Sequence, residues 1–270
     1  IMHDDEKKLK ISAEINNFSN PKWSLAKYLV VAENLYDEQR FGQCIDNLNA
    51  VIQLDHRHVP ARRILLKVYL RLNNYTQAHD VLAWLLKYDS LHEYQMKKYK
   101  TQVMSGLFKS LVTLKELKYY YNKLDRDERR DFLYGKLYFD GLLRLNEYEA
   151  AIEFLSANLN VETMQLIYNE AIFTLSKKIV DQTMVNKLKS IAEKSFQLNQ
   201  NNYNLLLALG ILSYQQQLWD RSQTYLEDSI KLKPSLDAYL FLGLIAEKTN
   251  NKQLLLKSNQ NLVTSIRNLN

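Results

Sequence analysis

In the stretch from Phe41 to Val51 the apolar and small side chains fall at Phe41, Cys44, Leu48 and Val51, at intervals of three, four and three. The same intervals return at Tyr75, Ala78, Leu82 and Leu85. Such spacing lines one face of a 3.6-residue helix and leaves the other faces polar. No strand-like alternation of polar and apolar residues interrupts the pattern. The chain of 270 residues holds only 6 glycines and 3 prolines, too few turn formers for a β-rich protein. The pattern predicts amphipathic helices joined by short turns.

These helices repeat. Setting the segment 28–55 over 62–89 places Leu35 on Tyr69, Phe41 on Tyr75, Cys44 on Ala78, Leu48 on Leu82 and Val51 on Leu85, all at one constant offset. That offset is the tetratricopeptide period of about 34 residues, the sum of two antiparallel helices of about 14 residues and two turns. The predicted fold class is all-α, a right-handed α-solenoid of tetratricopeptide-like helix pairs. Small residues where helices A and B cross (Ala32 or Gly210 on A; Cys44, Ala78, Ala151 or Ser222 on B) let the backbones close. The aromatics Phe41, Tyr75, Tyr148 and Trp219 begin each helix B and fill the wedge between repeats. Phe41 to Tyr75 is one full period, but Tyr75 to Tyr148 is five positions longer than two periods.

The expected organisation is a helix or tail over residues 1–22, ended by Pro21, and two repeats over 23–90. A divergent helix pair (93–109 and 112–124) occupies 91–130. Two loose repeats follow over 131–200, then a C-terminal repeat and capping helices over 201–270. Pro60 suits the first turn of a helix, and Asp125 or Asp127 caps the helix after the divergent pair. Leu188, Ala192 and Ser195 take helix-B positions. Lys252, Lys257, Asn259 and Asn261 suit a solvent-facing end.

Composition narrows the chemistry. Hydrophobic residues make up 46% and charged residues 24%, a globular balance that excludes global disorder. The net charge is +6, spread over pairs such as Lys97-Lys98, Arg129-Arg130 and Lys177-Lys178. That distribution fits solvated helix faces, an acidic partner or anionic lipid. No nucleic-acid recognition module accompanies it. The apolar run at 205–212 is too short to cross a bilayer, and the charged first ten residues are no secretory signal. The start at Ile1 leads to the expectation of a fragment from which an anchor has been removed.

The single cysteine, Cys44, excludes an internal disulfide and occupies a small-residue slot. Six glycines build neither a phosphate loop nor a dinucleotide fingerprint, and no Cys-x-x-Cys or His-Glu-x-x-His occurs. The chain is therefore expected to be no enzyme, and no metal site is expected. His56 and His58 form His-x-His between the first two repeats. They read either as a polar turn or as candidate haem ligands. His79 is expected to be exposed, and His92 to begin a helix. Tyr119, Tyr120 and Tyr121 cannot share one helix face, so one or two are accessible.

In stacked pairs the A helices line the inner groove. The first repeat offers Leu29, Glu33 and Tyr36, and the second Arg63, Lys67 and Arg71. The repeat at 131 offers Lys136, Asp140 and Arg144, and the late repeat Leu207, Ile211 and Tyr214. The expected partner-binding groove is Tyr36, Arg63, Lys67, Arg71, Lys136, Arg144 and Tyr214. It would be basic in the middle and apolar-aromatic towards the C-terminus, suited to an acidic peptide or an apolar molecule bearing carboxylates. The lysine-and-asparagine arrangement that clamps a terminal carboxylate is missing.

The segment from Leu207 to Tyr239, LALGILSYQQQLWDRSQTYLEDSIKLKPSLDAY, resembles the C-terminal repeat of the bacterial HemY family. Leu117-Lys-Tyr-Tyr-Tyr121 followed by Arg129-Arg130 resembles that family's helix pair ahead of a repeat such as 138–155. The likeness runs over about residues 24–265. It implies a protein of the proteobacterial inner membrane, anchored by two N-terminal helices, with the repeat domain on the cytoplasmic side. It further implies binding of haem or porphyrin, and organisation of late haem-pathway enzymes such as ferrochelatase and coproporphyrinogen oxidase. No ligand motif of the family maps onto a residue of this chain. A flavoprotein oxidase shares the family's name in some bacteria, and its Gly-x-Gly-x-x-Gly loop is absent here. The other reading is a general peptide-binding adaptor in envelope assembly or secretion. A homodimer is a further expectation, since solenoids with exposed end caps pair.

Overall fold

A computed structural model describes residues 21–89, 93–160 and 165–267. The expected helix or tail before Pro21, and His92, lie outside them. The described residues form fifteen helices and no strand. The first five are α1 (Pro21–Asp37), α2 (Phe41–Leu54), α3 (Val59–Arg71), α4 (Tyr75–Tyr88) and α5 (Glu93–Ser110). Next come α6 (Leu114–Asn122), α7 (Arg126–Arg130), α8 (Phe132–Arg144), α9 (Tyr148–Asn158) and α10 (Gln165–Ser176). The last are α11 (Gln182–Leu198), α12 (Tyr203–Gln215), α13 (Trp219–Leu232), α14 (Leu236–Lys248) and α15 (Lys252–Arg267). The chain separates into two compact units, one ending at Leu111 and the other beginning at Val112.

Within each unit neighbouring helices pack as tetratricopeptide-like pairs. The three-four spacing finds its purpose in α2, where Cys44, Leu48 and Val51 are fully buried. At the crossing of α1 and α2 the Cys44 thiol donates to the Ala32 carbonyl at 3.2 Å. At the crossing of α12 and α13 the Ser222 hydroxyl donates to the Gly210 carbonyl at 2.7 Å. Both contacts join residues twelve apart, so a thiol and a hydroxyl do the same task in distant repeats.

The turn from helix A to helix B is equally regular. It carries a residue with φ near 60° in five places: Gln39, Asn73, Asn146, Gln217 and Asn250. The next N–H reaches back five residues, from Arg40 to Leu35, Asn74 to Tyr69, Glu147 to Leu142, Leu218 to Ser213 and Asn251 to Ala246, at 2.8–2.9 Å. This is a Schellman closure, which satisfies carbonyls that the helix end leaves open. At two of the three asparagine turns the first tyrosine of helix B bonds the asparagine, Tyr75 to Asn73 at 2.7 Å and Tyr148 to Asn146 at 2.8 Å; after Asn250 the next helix starts at Lys252 and has no tyrosine. Where glutamine holds it, helix B starts with Phe41 or Trp219, which have no phenol.

The five residues in excess of two repeats have a structural counterpart. Helix α7 is five residues long, opened by a capping box between Asp125 and Glu128. Asp125 is thus the cap, and Asp127 lies within the helix's first turn. Helix α12 is enclosed by α10, α11, α13 and α14, which is why the run 205–212 is apolar all round. Leu188, Ala192 and Ser195 on α11 are buried as expected. The last helix exposes Lys252, Lys257 and Asn259. Among the described residues, no helix is long and apolar enough to cross a membrane.

Candidate functional site

In the first unit three helices converge on a cleft. Tyr36 comes from α1, Lys67, Leu70 and Arg71 from α3, and Tyr99 and Gln102 from α5, around a volume of about 440 Å³. A second cleft of about 390 Å³ adjoins it, sharing Tyr36 and Arg71 and adding Asp37, Gln39 and Phe41. Tyr36 is steadied by the Phe41 ring, 5.9 Å away between centroids. Lys67 and Arg71 stand one helical turn apart, both exposed. Neither engages an acidic side chain among the described residues. The cleft therefore offers two open cations between two tyrosine rings.

Arg63, expected beside them, has another task. Its guanidinium forks onto Asp89, with Nε 2.7 Å from Oδ2 and Nη2 2.5 Å from Oδ1. The Asp89 side chain is 1% exposed and caps the end of α4, so this pair ties α3 to α4. The hydrogen bond to Asp89 holds the Arg63 guanidinium still more firmly protonated than usual. Arg63 is thus a structural cation and leaves the groove.

The second unit does not continue a basic groove. Lys136 is paired with Asp140 at 3.2 Å across one turn of α8. Both line a cleft of about 310 Å³ with Phe132, Phe139, Leu143 and, from α10, Glu170, Ala171 and Thr174. The charge expected to be positive here is offset by Asp140 and outweighed by Glu170. Arg144 is exposed and engaged elsewhere, outside the cleft lining. Leu207 and Ile211, expected at an open apolar end, are 1% and 0% exposed. Tyr214 packs edge-on against Trp219 at 5.3 Å and Phe241 at 5.4 Å. Leu207 and Ile211 are core, because α12 is surrounded, and Tyr214 is half-buried against that core.

The histidines take local roles. His58 is the N-cap of α3, its Nδ1 accepting the Ala61 N–H at 3.1 Å, while His56 is exposed in the same turn. Among the described residues no cluster of three or more His, Cys, Asp or Glu side chains is placed to hold a metal. His79 departs from the expected exposure: its side chain is 16% exposed, largely covered beside Asp80. Burial pushes the Cys44 thiol up to about 11, so it is no nucleophile at neutral pH. The tyrosine run divides as its geometry requires. Tyr119 is 53% exposed, whereas Tyr121 is buried, stacked on Tyr138 at 4.0 Å, and donates to the Arg129 carbonyl at 3.0 Å. Burial pushes the Tyr121 phenol up to about 12.

Tyr36, Lys67 and Arg71 are thus brought together as the repeat pattern places them. Tyr99 and Gln102 escape that pattern: one period beyond Lys67 and Arg71 stand Thr101 and Ser105. The period breaks after residue 90, so no spacing argument reaches α5's lining residues. Phe132 and Phe139 stand on the same helix as the predicted Lys136 and Asp140 but are not among the positions that the frame assigns to the groove, and Glu170 belongs to one of the loose repeats.

No protein-family profile matches the chain, and no curated protein does. Solved structures match over most of its length. PilF of Pseudomonas aeruginosa is 12% identical, with 90% of this chain and 91% of that one covered and a TM-score of 0.36. PilW, described as a widely conserved type IV pilus biogenesis factor, is 11% identical over 90% and 98%, with a TM-score of 0.39. YrrB, described as a TPR protein with an unusual peptide-binding site, is 11% identical over 87% and 91%, with a TM-score of 0.30. Likeness at this level carries no argument about function.

Proposed function

We propose that the chain is a non-catalytic adaptor that holds an acidic segment of a partner protein in the cleft of its first unit. One observation carries this reading: Lys67 and Arg71 are exposed without an acidic partner, between Tyr36 and Tyr99. Cations elsewhere on the A helices, at Arg63 and Lys136, are already consumed. Two uncompensated charges beside aromatic rings attract carboxylates at long range and keep them at short range.

The finer reading rests on the resemblance of residues 207–239 and 117–130 to the HemY family. On it the partners are late haem-pathway enzymes such as ferrochelatase, and the domain sits on the cytoplasmic side of a bacterial inner membrane. An N-terminal anchor outside this sequence would hold it there. Haem itself would be a ligand of secondary importance. His58 already uses Nδ1 as a helix cap, which leaves Nε2 for iron.

Affinity capture from the source organism, with the native chain and with Lys67→Glu/Arg71→Glu, tests both levels. Recovery of a haem-pathway enzyme by the native chain alone is the expected result. Recovery of an unaltered set by the charge-reversed chain would remove the cleft from the function. Recovery of proteins from other pathways only would leave a general peptide adaptor and end the haem reading. Titration with haemin then separates carrier from scaffold: a saturable Soret shift lost in His58→Ala means haem loading, and no shift means a scaffold alone.

A further inference from the structure

The cleft of the second unit has an opposite chemistry, and the proposed function does not use it. Its floor is apolar: Phe139 and Ala171 are buried, and Leu143 is half-buried. Its wall is Phe132, at the first position of α8 and 43% exposed. A ring left this open beside a cavity is surface that a partner side chain would desolvate.

The rim carries Lys136, Asp140 and Glu170. The first two neutralise one another at 3.2 Å. Glu170 is exposed on α10, and its carboxylate engages no cation among the described residues. The uncompensated charge at this rim is therefore negative. At about 310 Å³ the cleft stands at the low end of ligand sites, which run from about 300 to 1,000 Å³. That suits one or two side chains of a protein segment better than a cofactor.

We infer that the second unit holds a separate docking site, selective for a segment that pairs a lysine or arginine with a neighbouring aromatic or aliphatic side chain. The apolar side chain seats against Phe132 and Phe139, and the cation meets Glu170. The first unit selects carboxylates and the second selects cations, so one chain holds two unlike clients. The second site does not depend on Lys67 or Arg71.

Fluorescence anisotropy of the full chain tests this with two fluorescein-labelled dodecapeptides. One alternates lysine with phenylalanine or leucine, and its twin carries glutamate in place of lysine. The lysine peptide is expected to bind, to weaken at least tenfold in Glu170→Lys and in Phe132→Ser, and to be unaffected by Lys67→Glu/Arg71→Glu. The glutamate twin is expected to show the converse at the first cleft, and to gain binding in Glu170→Lys, which unfolding cannot produce. Undiminished lysine-peptide binding by Glu170→Lys, or none by the native chain, overturns the second site. Loss of glutamate-twin binding alone speaks only against the first cleft. If the native chain sediments as a dimer that Glu170→Lys dissociates, the occupant is a second copy, and the two-client reading falls.

Discussion

Alanine should act with opposite sign at two helical glycines of this chain. In α12 the Gly210 carbonyl accepts the Ser222 hydroxyl at 2.7 Å. A Cβ at this position would lie 2.7 Å from both Cγ and Cδ2 of Leu226. Carbon atoms in good contact stand at about 3.5–4.0 Å, so the helices must part by about 1 Å. Leu226 is 0% exposed and packed on all sides, so its side chain cannot give way into solvent. Alanine is favoured over glycine in a helix by about 1 kcal/mol. Overpacking costs about 1–3 kcal/mol, and stretching the buried Ser222 bond forfeits up to about 1 kcal/mol more. Gly210→Ala should therefore destabilise, by up to about 3 kcal/mol and by about 1.5 kcal/mol at the middle of these ranges. At Gly42, in the first turn of α2, a Cβ meets nothing within 4 Å, so only propensity acts. Gly42→Ala should stabilise, by at most about 1 kcal/mol. Urea denaturation followed by tryptophan fluorescence and far-ultraviolet circular dichroism reads both as shifts of the midpoint at constant slope. A Leu226→Ala background removes the obstacle, and the double-mutant cycle should show a favourable coupling of about 1 kcal/mol. If Gly210→Ala proves as stabilising as Gly42→Ala, or if no coupling to Leu226 appears, the close-approach account is wrong.

Three further outcomes follow from the geometry. Cys44 should resist aromatic disulfide reagents in the native chain and react within minutes in urea. Its thiol is raised to about 11, so the folded state disfavours the thiolate: its contribution to stability is whole below the ordinary thiol pKa and is lost as pH rises through about 11. Arg63→Ala removes the forked hydrogen bonds to the Asp89 carboxylate, 1% exposed; because Asp89 has other interactions and Arg63 is itself 39% exposed, the cost should be about 1–2 kcal/mol rather than that of breaking a fully buried pair, while acidic-peptide binding stays unchanged. Gln217→Gly relieves a left-handed residue at φ 60° and should stabilise by about 0.5–1 kcal/mol, read as a rise in Tm.

The helix pairs were legible because two local signals agree: the three-four spacing of Phe41, Cys44, Leu48 and Val51, and its return one period later at Tyr75, Ala78, Leu82 and Leu85. Small residues such as Gly210 and Ser222 could be placed at crossings because only they permit close backbones. The groove was less legible. Position within a repeat says that Arg63 and Lys136 lie on A helices, but not that Asp89 and Asp140 consume their charges. Apolar periodicity likewise could not show that Leu207 and Ile211 are enclosed on every side, since that depends on α10, α11, α13 and α14 together. Tyr99 belongs to a helix where the period fails, and only packing brings it to Lys67.

The contacts from Cys44 to Ala32 and from Ser222 to Gly210 each span twelve residues. A ribosome adds about 5–20 residues per second, whereas small helical units form in microseconds. Each hairpin can therefore close as it leaves the exit tunnel, before the next pair exists. Its exposed apolar face then waits only for the following pair to be synthesised, a matter of seconds. Synthesis order becomes assembly order, and the nascent chain shows the cell one unpaired face at a time.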